Sequence, residues 1–139
     1  MRRISFCAAD LPDVLQEALS KKQVTDFAGV PHRLESNVSE EEALALYSTV
    51  RVVRPEQTLE IGLAHGVSAL VILGALFANG SGHHYVIDPF QRKYGYCGEA
   101  MIARAGLGAR HSFLEQFPEE VIPQIPSSSL SLIPRICST

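Results

Sequence analysis

Leu59-Glu60-Ile61-Gly62-Leu63-Ala64-His65-Gly66-Val67-Ser68 is the stretch on which the fold turns. Thr58 to Ile61 is short and partly β-branched, as a buried strand is, and Gly62 stops it. From Val67 to Ala78 the chain is mostly apolar and of helical length. The product is strand, glycine turn, helix. Gly62 permits a sharp turn, Gly66 permits close approach of the backbone to a ligand, and the helix start offers amides without internal partners. At the end of the strand, Glu60 places a carboxylate where a cationic ligand group can be held. A G-x-x-x-G turn taken alone also fits a tight turn in any α/β protein.

Downstream, Asn79-Gly80-Ser81-Gly82 is a turn, and Tyr85-Val86-Ile87 is a second strand closed by Asp88-Pro89. An acid at the carboxyl end of that strand can accept hydrogen bonds from two ribose hydroxyls, because a carboxylate has two oxygens. Asp88 follows Gly62 at close to the roughly 20-residue offset expected of such an acid. The alternative reading of Asp88 is a turn cap beside Pro89. Glu99 to Ala105 reads as a short helix ended by Gly106 and Gly108, His111 to Leu114 as a third strand, and Pro118 to Ile122 as a further helical turn. Strand and helix alternate throughout. This predicts an α/β fold, a Rossmann-like parallel sheet with flanking helices and right-handed crossovers.

Upstream, Asp10 to Ser20 reads as a helix capped by Asp10, with Leu11, Val14, Leu15, Ala18 and Leu19 on one face. Lys21 to Leu34, with Gly29-Val30-Pro31, reads as a loop. Ser39-Glu40-Glu41-Glu42 is a capping box, after which Ala43, Leu46, Tyr47, Val50 and Val53 recur at helical spacing until Pro55.

Composition narrows the function classes. The chain has 139 residues, 46% hydrophobic and 19% charged, enough to bury the core of one modest domain. Twelve Lys and Arg against fifteen Asp and Glu leave a net charge of −3, which argues against a nucleic-acid grip by bulk charge. The longest apolar stretch, Ala69 to Ala78, falls short of the roughly 18 residues a membrane helix needs. Asp10, Asp13 and Glu17 interrupt any apolar signal core after Met1-Arg2-Arg3. Cys7, Cys97 and Cys137 form no C-x-x-C pair, so a reducing compartment, the cytoplasm, is the expected home.

Other residues that carry chemistry read less sharply. His83-His84, beside Gly82, reads as a turn pair without acids or cysteines at ligand spacing, so no metal site is expected. His65 can shape the site, act as a base or serve only the loop. Arg92 and Lys93 lie close enough to Cys97 to favour a thiolate, but no paired base accompanies it and it is not read as a nucleophile. Arg92-Lys93-Tyr94 reads as a solvated loop rather than a nucleic-acid contact.

LEIGLAHGVSAL resembles motif I of class I S-adenosylmethionine-dependent methyltransferases in its E-x-G-x-x-x-G variant, and VIDPFQ resembles their acidic second motif, especially in the small O-methyltransferase-like branch. The segments Ser39 to Val53, Gly98 to Leu107 and Val121 to Ile125 resemble the same branch, so the likeness covers roughly residues 36 to 125. It implies S-adenosyl-L-methionine as cofactor and a small-molecule acceptor. Gly62 and Gly66 would form the loop against the methionine part, with Ala64 and His65 lining it. Glu60 would face the cofactor's amino group, directly or through water, and Asp88 would hold the ribose hydroxyls. At the third motif, where family members carry an acid for the adenine amino group, this chain offers Glu115 or Gln116. The catalytic residues are not identified.

The resemblance also implies a chain that stops early. Leu130 to Ile133 sits where the fourth strand belongs, yet Pro134-Arg135 follows and no acid appears. The expectation is therefore an incomplete sheet of about three to four strands, with an N-terminal helix and loop at 1–35, a partial methyltransferase-like cofactor-binding domain at 36–125 and an irregular tail at 126–139. In an open sheet the ligand crevice lies where strand order reverses, beside the first strand. Lacking a full fourth strand, that first strand would be an exposed edge inviting self-association, and catalysis would be impaired. Two alternatives stand beside a methyltransferase. One is a Rossmann domain binding NAD, against which the absence of G-x-G-x-x-G counts. The other is a non-catalytic remnant.

Overall fold

In the computed structural model, which describes residues 5–35, 38–124 and 130–132, the chain opens with a 3-10 turn at Ala8–Asp10 and helix α1 at Asp13–Lys21. Asp10 does not cap this helix. Its carboxylate accepts the Cys7 amide at 2.8 Å and closes the preceding turn, so α1 begins only after Pro12. The expected loop at Lys21 to Leu34 is instead an antiparallel hairpin of β1 (Gln23–Thr25) and β2 (Pro31–Arg33). Its strands, three residues each, are too short to show alternation. The turn is set by Asp26, whose Oδ1 accepts the Ala28 and Val30 amides, both at 2.9 Å, with Gly29 at φ +84°.

Helix α2 (Glu40–Val53) begins at Ser39, whose Oγ accepts the Glu42 amide at 3.1 Å. Ala43, Tyr47 and Val50 are buried along one face, whereas Val53, expected there, is 61% exposed in the last turn. Strand β3 (Gln57–Ile61) leads to α3 (Val67–Asn79), which is buried almost all round. Strand β4 (His83–Ile87), α4 (Cys97–Arg104), β5 (His111–Leu114), α5 (Pro118–Val121) and β6 (Leu130–Leu132) follow among the described residues. His83 and His84 are therefore the first residues of a strand and not a turn pair. His84 is fully buried, because alternation along β4 turns it to the same side as Val86.

The four central strands are all parallel, in the order β5-β4-β3-β6. Strand β3 is not the edge its sequence context implies. β6 pairs with it from Gln57↔Leu130 to Leu59↔Leu132, three residues ahead of Pro134 being enough to form the ladder. Ile133, Pro134 and Cys137 lie outside the described residues. The main hydrophobic core joins α1, α2, α3, α4 and Val24 of the hairpin on one side of the sheet, and a smaller cluster of Leu59, Ile87 and Val121 lies on the other. Strand β3 alternates between them, so Leu59 enters the small cluster while Thr58 and Glu60 face the opposite way. Arg104 of α4 donates to the carbonyls of Thr25 and Asp26, each at 3.2 Å, and fastens the hairpin to the body. Among the described residues no helix is long and apolar enough to cross a membrane.

Candidate functional site

Beyond Ile61 the backbone enters the left-handed region at every second residue: Gly62 at φ +92°, Ala64 at +48° and Gly66 at +86°. The Gly62 amide donates to Ile87 O at 2.9 Å and the Gly66 amide to Leu63 O at 2.8 Å, so the turn hangs from the end of β4 and closes on itself. Glycine takes such angles without strain, but Ala64 does not. Its carbonyl is held by the Gln91 side-chain amide at 3.0 Å.

Asp88 is buried beside this turn. Its Oδ2 accepts the Leu63 amide at 3.0 Å and the Gln91 Nε2 amide at 3.3 Å, and its Oδ1 accepts the Phe90 amide at 2.8 Å. The last of these is the turn cap, and the first ties the acid to the glycine turn, so the two readings of Asp88 are compatible. Gln91, fully buried, is a residue the motifs did not single out. It also accepts the Gly98 amide at 3.0 Å through Oε1, joining the turn, Asp88 and the first turn of α4. Its sequence signal is its place as the last residue of VIDPFQ, three positions after the acid.

Glu60 lies apart from this group. One carboxylate oxygen accepts the hydroxyl of Ser68, in the first turn of α3, and the other is 3.3 Å from His84 Nε2. His84 Nδ1 is in turn 2.7 Å from Thr58 Oγ1. The carboxylate is therefore committed to a buried polar chain beneath α3.

The space left by the glycines is used for packing. A Cβ on Gly66 would sit 3.0 Å from Gly98 Cα, and one on Gly98 would meet Leu63 Cγ at 2.6 Å and Ala64 O at 2.9 Å. The close approach allowed by Gly66 is thus to α4. His65 bridges the turn to the N-terminal segment: its Nδ1 accepts the Glu35 amide at 3.2 Å, and its ring lies edge-on to Tyr94 with centroids 5.2 Å apart. Burial holds His65 below the ordinary histidine range, with Glu35 opposing and His32 adding to the shift. The ring is neutral at pH 7, and with Nδ1 accepting, its proton is on Nε2.

Around the carboxyl ends of β4 and β5, exposed Phe90 and Phe117 meet edge-on, with centroids 6.0 Å apart. Tyr96 donates its hydroxyl to Glu115 Oε1 at 2.5 Å, which holds the phenol above its usual range. Cys97 is not a favoured thiolate. Burial pushes its thiol up, Asp26 adds to this, and Arg104 opposes it. Among the described residues no group of three or more His, Cys, Asp and Glu side chains is placed to hold a metal ion.

The turn residues Gly62, Ala64, His65 and Gly66 are thus brought together with Asp88, and Glu60 braces the helix that follows them. With this geometry in hand, four likenesses are informative. A family model described as a methyltransferase domain matches residues 59–133. Among solved structures, the O-methyltransferase TomG of Streptomyces achromogenes, in complex with SAM, superimposes with a TM-score of 0.61 at 16% identity, over 93% of this chain and 55% of its own. A SAH-bound methyltransferase of Podospora anserina superimposes with a TM-score of 0.66 at 20% identity, over 84% of this chain and 47% of its own. An O-methyltransferase of Bacillus cereus in complex with SAH gives 0.58 at 21% identity, over 86% and 48%. These likenesses show a shared Rossmann-like fold. The chain spans about half the length of the solved structures it matches. No curated protein matches it by sequence.

Proposed function

This chain belongs to the methyltransferase-domain family, and we propose that it binds S-adenosyl-L-methionine at the Gly62–Gly66 turn for methyl transfer to a small-molecule acceptor. The observation that carries this reading is the Leu63 amide bonded to Asp88, which sets an acid beside a left-handed turn at the carboxyl ends of two adjacent parallel strands.

The donor set suits the cofactor. A carboxylate offers about four lone-pair sites, and Asp88 uses three, the weakest being the 3.3 Å contact from Gln91 that a ribose hydroxyl can replace. The first-turn amides of α3 suit a carboxylate. Glu60 serves as a positioning residue, holding Ser68 and hence the start of α3, rather than contacting the cofactor's ammonium itself. Ala64 and His65 line the turn, and Phe90 with Phe117 offers an apolar flank to a planar base.

Held there, S-adenosyl-L-methionine would supply a methyl carbon activated by a sulfonium, open to an acceptor's lone pair with the S–CH3 electron pair left on sulfur. The residues named here therefore need mainly to hold donor and acceptor in line. With its proton on Nε2, His65 is a hydrogen-bond donor in this state, and the acceptor's own proton, if it has one, leaves to solvent. We place the protein in the cytoplasm, where the free thiols Cys7 and Cys97 remain reduced.

Titration calorimetry with S-adenosylmethionine, S-adenosylhomocysteine and NAD tests the reading. Binding of the first two and not the third is the expected result. Binding of NAD alone overturns it in favour of a dinucleotide domain, and silence towards all three overturns it in favour of a non-catalytic remnant.

A further inference from the structure

We propose that the acceptor binds in an open cavity of about 1170 Å³ between α1, the base of the hairpin and the start of α2, and that it is a small amphipathic carboxylate. The word acceptor rests on the reading of the glycine turn as the methyl-donor site; the cavity and its ligand class rest on residues outside that turn.

The cavity adjoins the turn through His65. Tyr94 lines the cavity and lies edge-on to the His65 ring at 5.2 Å. Glu35, also in the wall, donates its amide to His65 Nδ1 at 3.2 Å. Two wall residues thus contact His65, so the cavity lies directly against the turn at this side chain.

Its lining sets the ligand class. Leu11, Leu19, Leu34 and Val38 give an apolar surface, closed at one side by the Tyr94 ring. Lys22 and Arg33 stand at the hairpin base. Lys22 caps α1 in the left-handed conformation, φ +54°, and its carbonyl accepts the Leu34 amide at 2.9 Å, while Arg33 is in register with Gln23. Among the described residues neither cation is in an ion pair. Glu35, two residues beyond Arg33, and Glu40 in the first turn of α2 also line the cavity, so along the chain its acids lie on the α2 side of the cationic pair and set up a charge gradient. A ligand with an apolar body and one carboxylate is oriented by this gradient, its anion at Lys22 and Arg33 and repelled from the other end. Ligand pockets usually measure about 300–1,000 Å³, so the space accommodates such a molecule with water beside it.

The test uses the ¹⁵N-labelled full chain, titrated with 3-phenylpropanoate, its neutral amide 3-phenylpropanamide, and 3-phenylpropylamine. The acid is expected to move the amides of Lys22, Leu34, Glu35 and Tyr94 saturably, with the neutral and cationic analogues about fivefold weaker or worse. Arg33→Gln should weaken the acid by a similar factor and leave S-adenosylhomocysteine binding unchanged. The proposal is overturned if the acid moves none of these amides, or binds no more tightly than the other two probes. Titration with S-adenosylhomocysteine separates the two readings. If it fails to move the amides of Gly62 to Gly66, the donor-site reading falls and the cavity is no acceptor site; the acid titration decides the ligand class independently.

Discussion

Asp88 accepts the Leu63 amide at 3.0 Å, so the acid that ends one parallel strand fastens the turn that follows its neighbour. On the proposed reading, stability of the turn and affinity for a ribose are carried by one carboxylate. A substitution there acts on both, and the two effects separate only if folding and binding are measured on the same variant.

Asp88→Asn keeps the size of the side chain but replaces one acceptor oxygen by an amide donor. Either the Leu63 or the Phe90 amide then faces another donor in a buried place. The expected loss is about 1–3 kcal/mol in stability, with a loss of similar size in S-adenosylhomocysteine affinity. Urea unfolding and calorimetry on the same variant check it. A folded variant with unchanged affinity removes Asp88 from the cofactor site.

Gln91→Glu tests the hub beneath the turn. The acceptor for the Gly98 amide survives, but the group facing Ala64 O and Asp88 Oδ2 becomes an oxygen instead of a donor. With two buried carboxylates in contact, the variant should lose more than about 2 kcal/mol near pH 7 and recover part of it at pH 5 as one protonates. Denaturant midpoints at the two pH values decide this. A pH-independent loss would mean that the new carboxylate does not face Asp88.

Much of this site is legible in the sequence, because its parts are local. Glycines at 62 and 66 announce a turn needing left-handed backbone, and an acid one βα unit later announces a carboxylate at the neighbouring strand end. The partners are not legible. Glu60 meets His84 only because parallel pairing in register brings β3 and β4 side by side, and Gln91 reaches Ala64 across 27 positions of chain. Spacing alone cannot show that Gly66 is open to Gly98 as well as to any ligand. The hairpin was hidden for another reason: its strands are too short for periodicity, and Asp26 works through its side chain.

Gly98→Ala measures how tightly α4 sits on the turn. In a helix the change is favourable by about 1 kcal/mol on propensity alone. The new Cβ, however, meets Leu63 Cγ at 2.6 Å and Ala64 O at 2.9 Å, one flexible and one backbone. Crowding of this kind costs about 1–3 kcal/mol, so the net effect should be destabilising and should lower S-adenosylhomocysteine affinity. Gly108→Ala is the matched control. Nothing lies within 4 Å of its Cβ and its φ is ordinary, so stability should stay level or rise by a few tenths of a kcal/mol. Equal thermal shifts for the two variants would show that the turn does not bear on α4.

The pH dependence of stability follows from His65. Burial holds its pKa below the ordinary value of 6.5. The folded state therefore takes up this proton at lower pH than the unfolded chain, and the unfolded state binds more protons in the window just below the ordinary value. Stability is full above that window and falls as the pH drops through it. The structural reason is direct, because an imidazolium has donors at both nitrogens and cannot accept the Glu35 amide. His83 is shifted the same way, first by burial and then by His111, His84 and Arg110, and adds to the slope. His65→Gln leaves an oxygen able to accept that amide but removes the titration, so its denaturant midpoint should fall less than that of the unaltered protein between pH 7.5 and pH 5.5, about one unit either side of the ordinary value. His83→Gln should remove only its own share. If the unaltered protein and His65→Gln lose the same stability over that interval, the bond between the turn and Glu35 is not proton-sensitive.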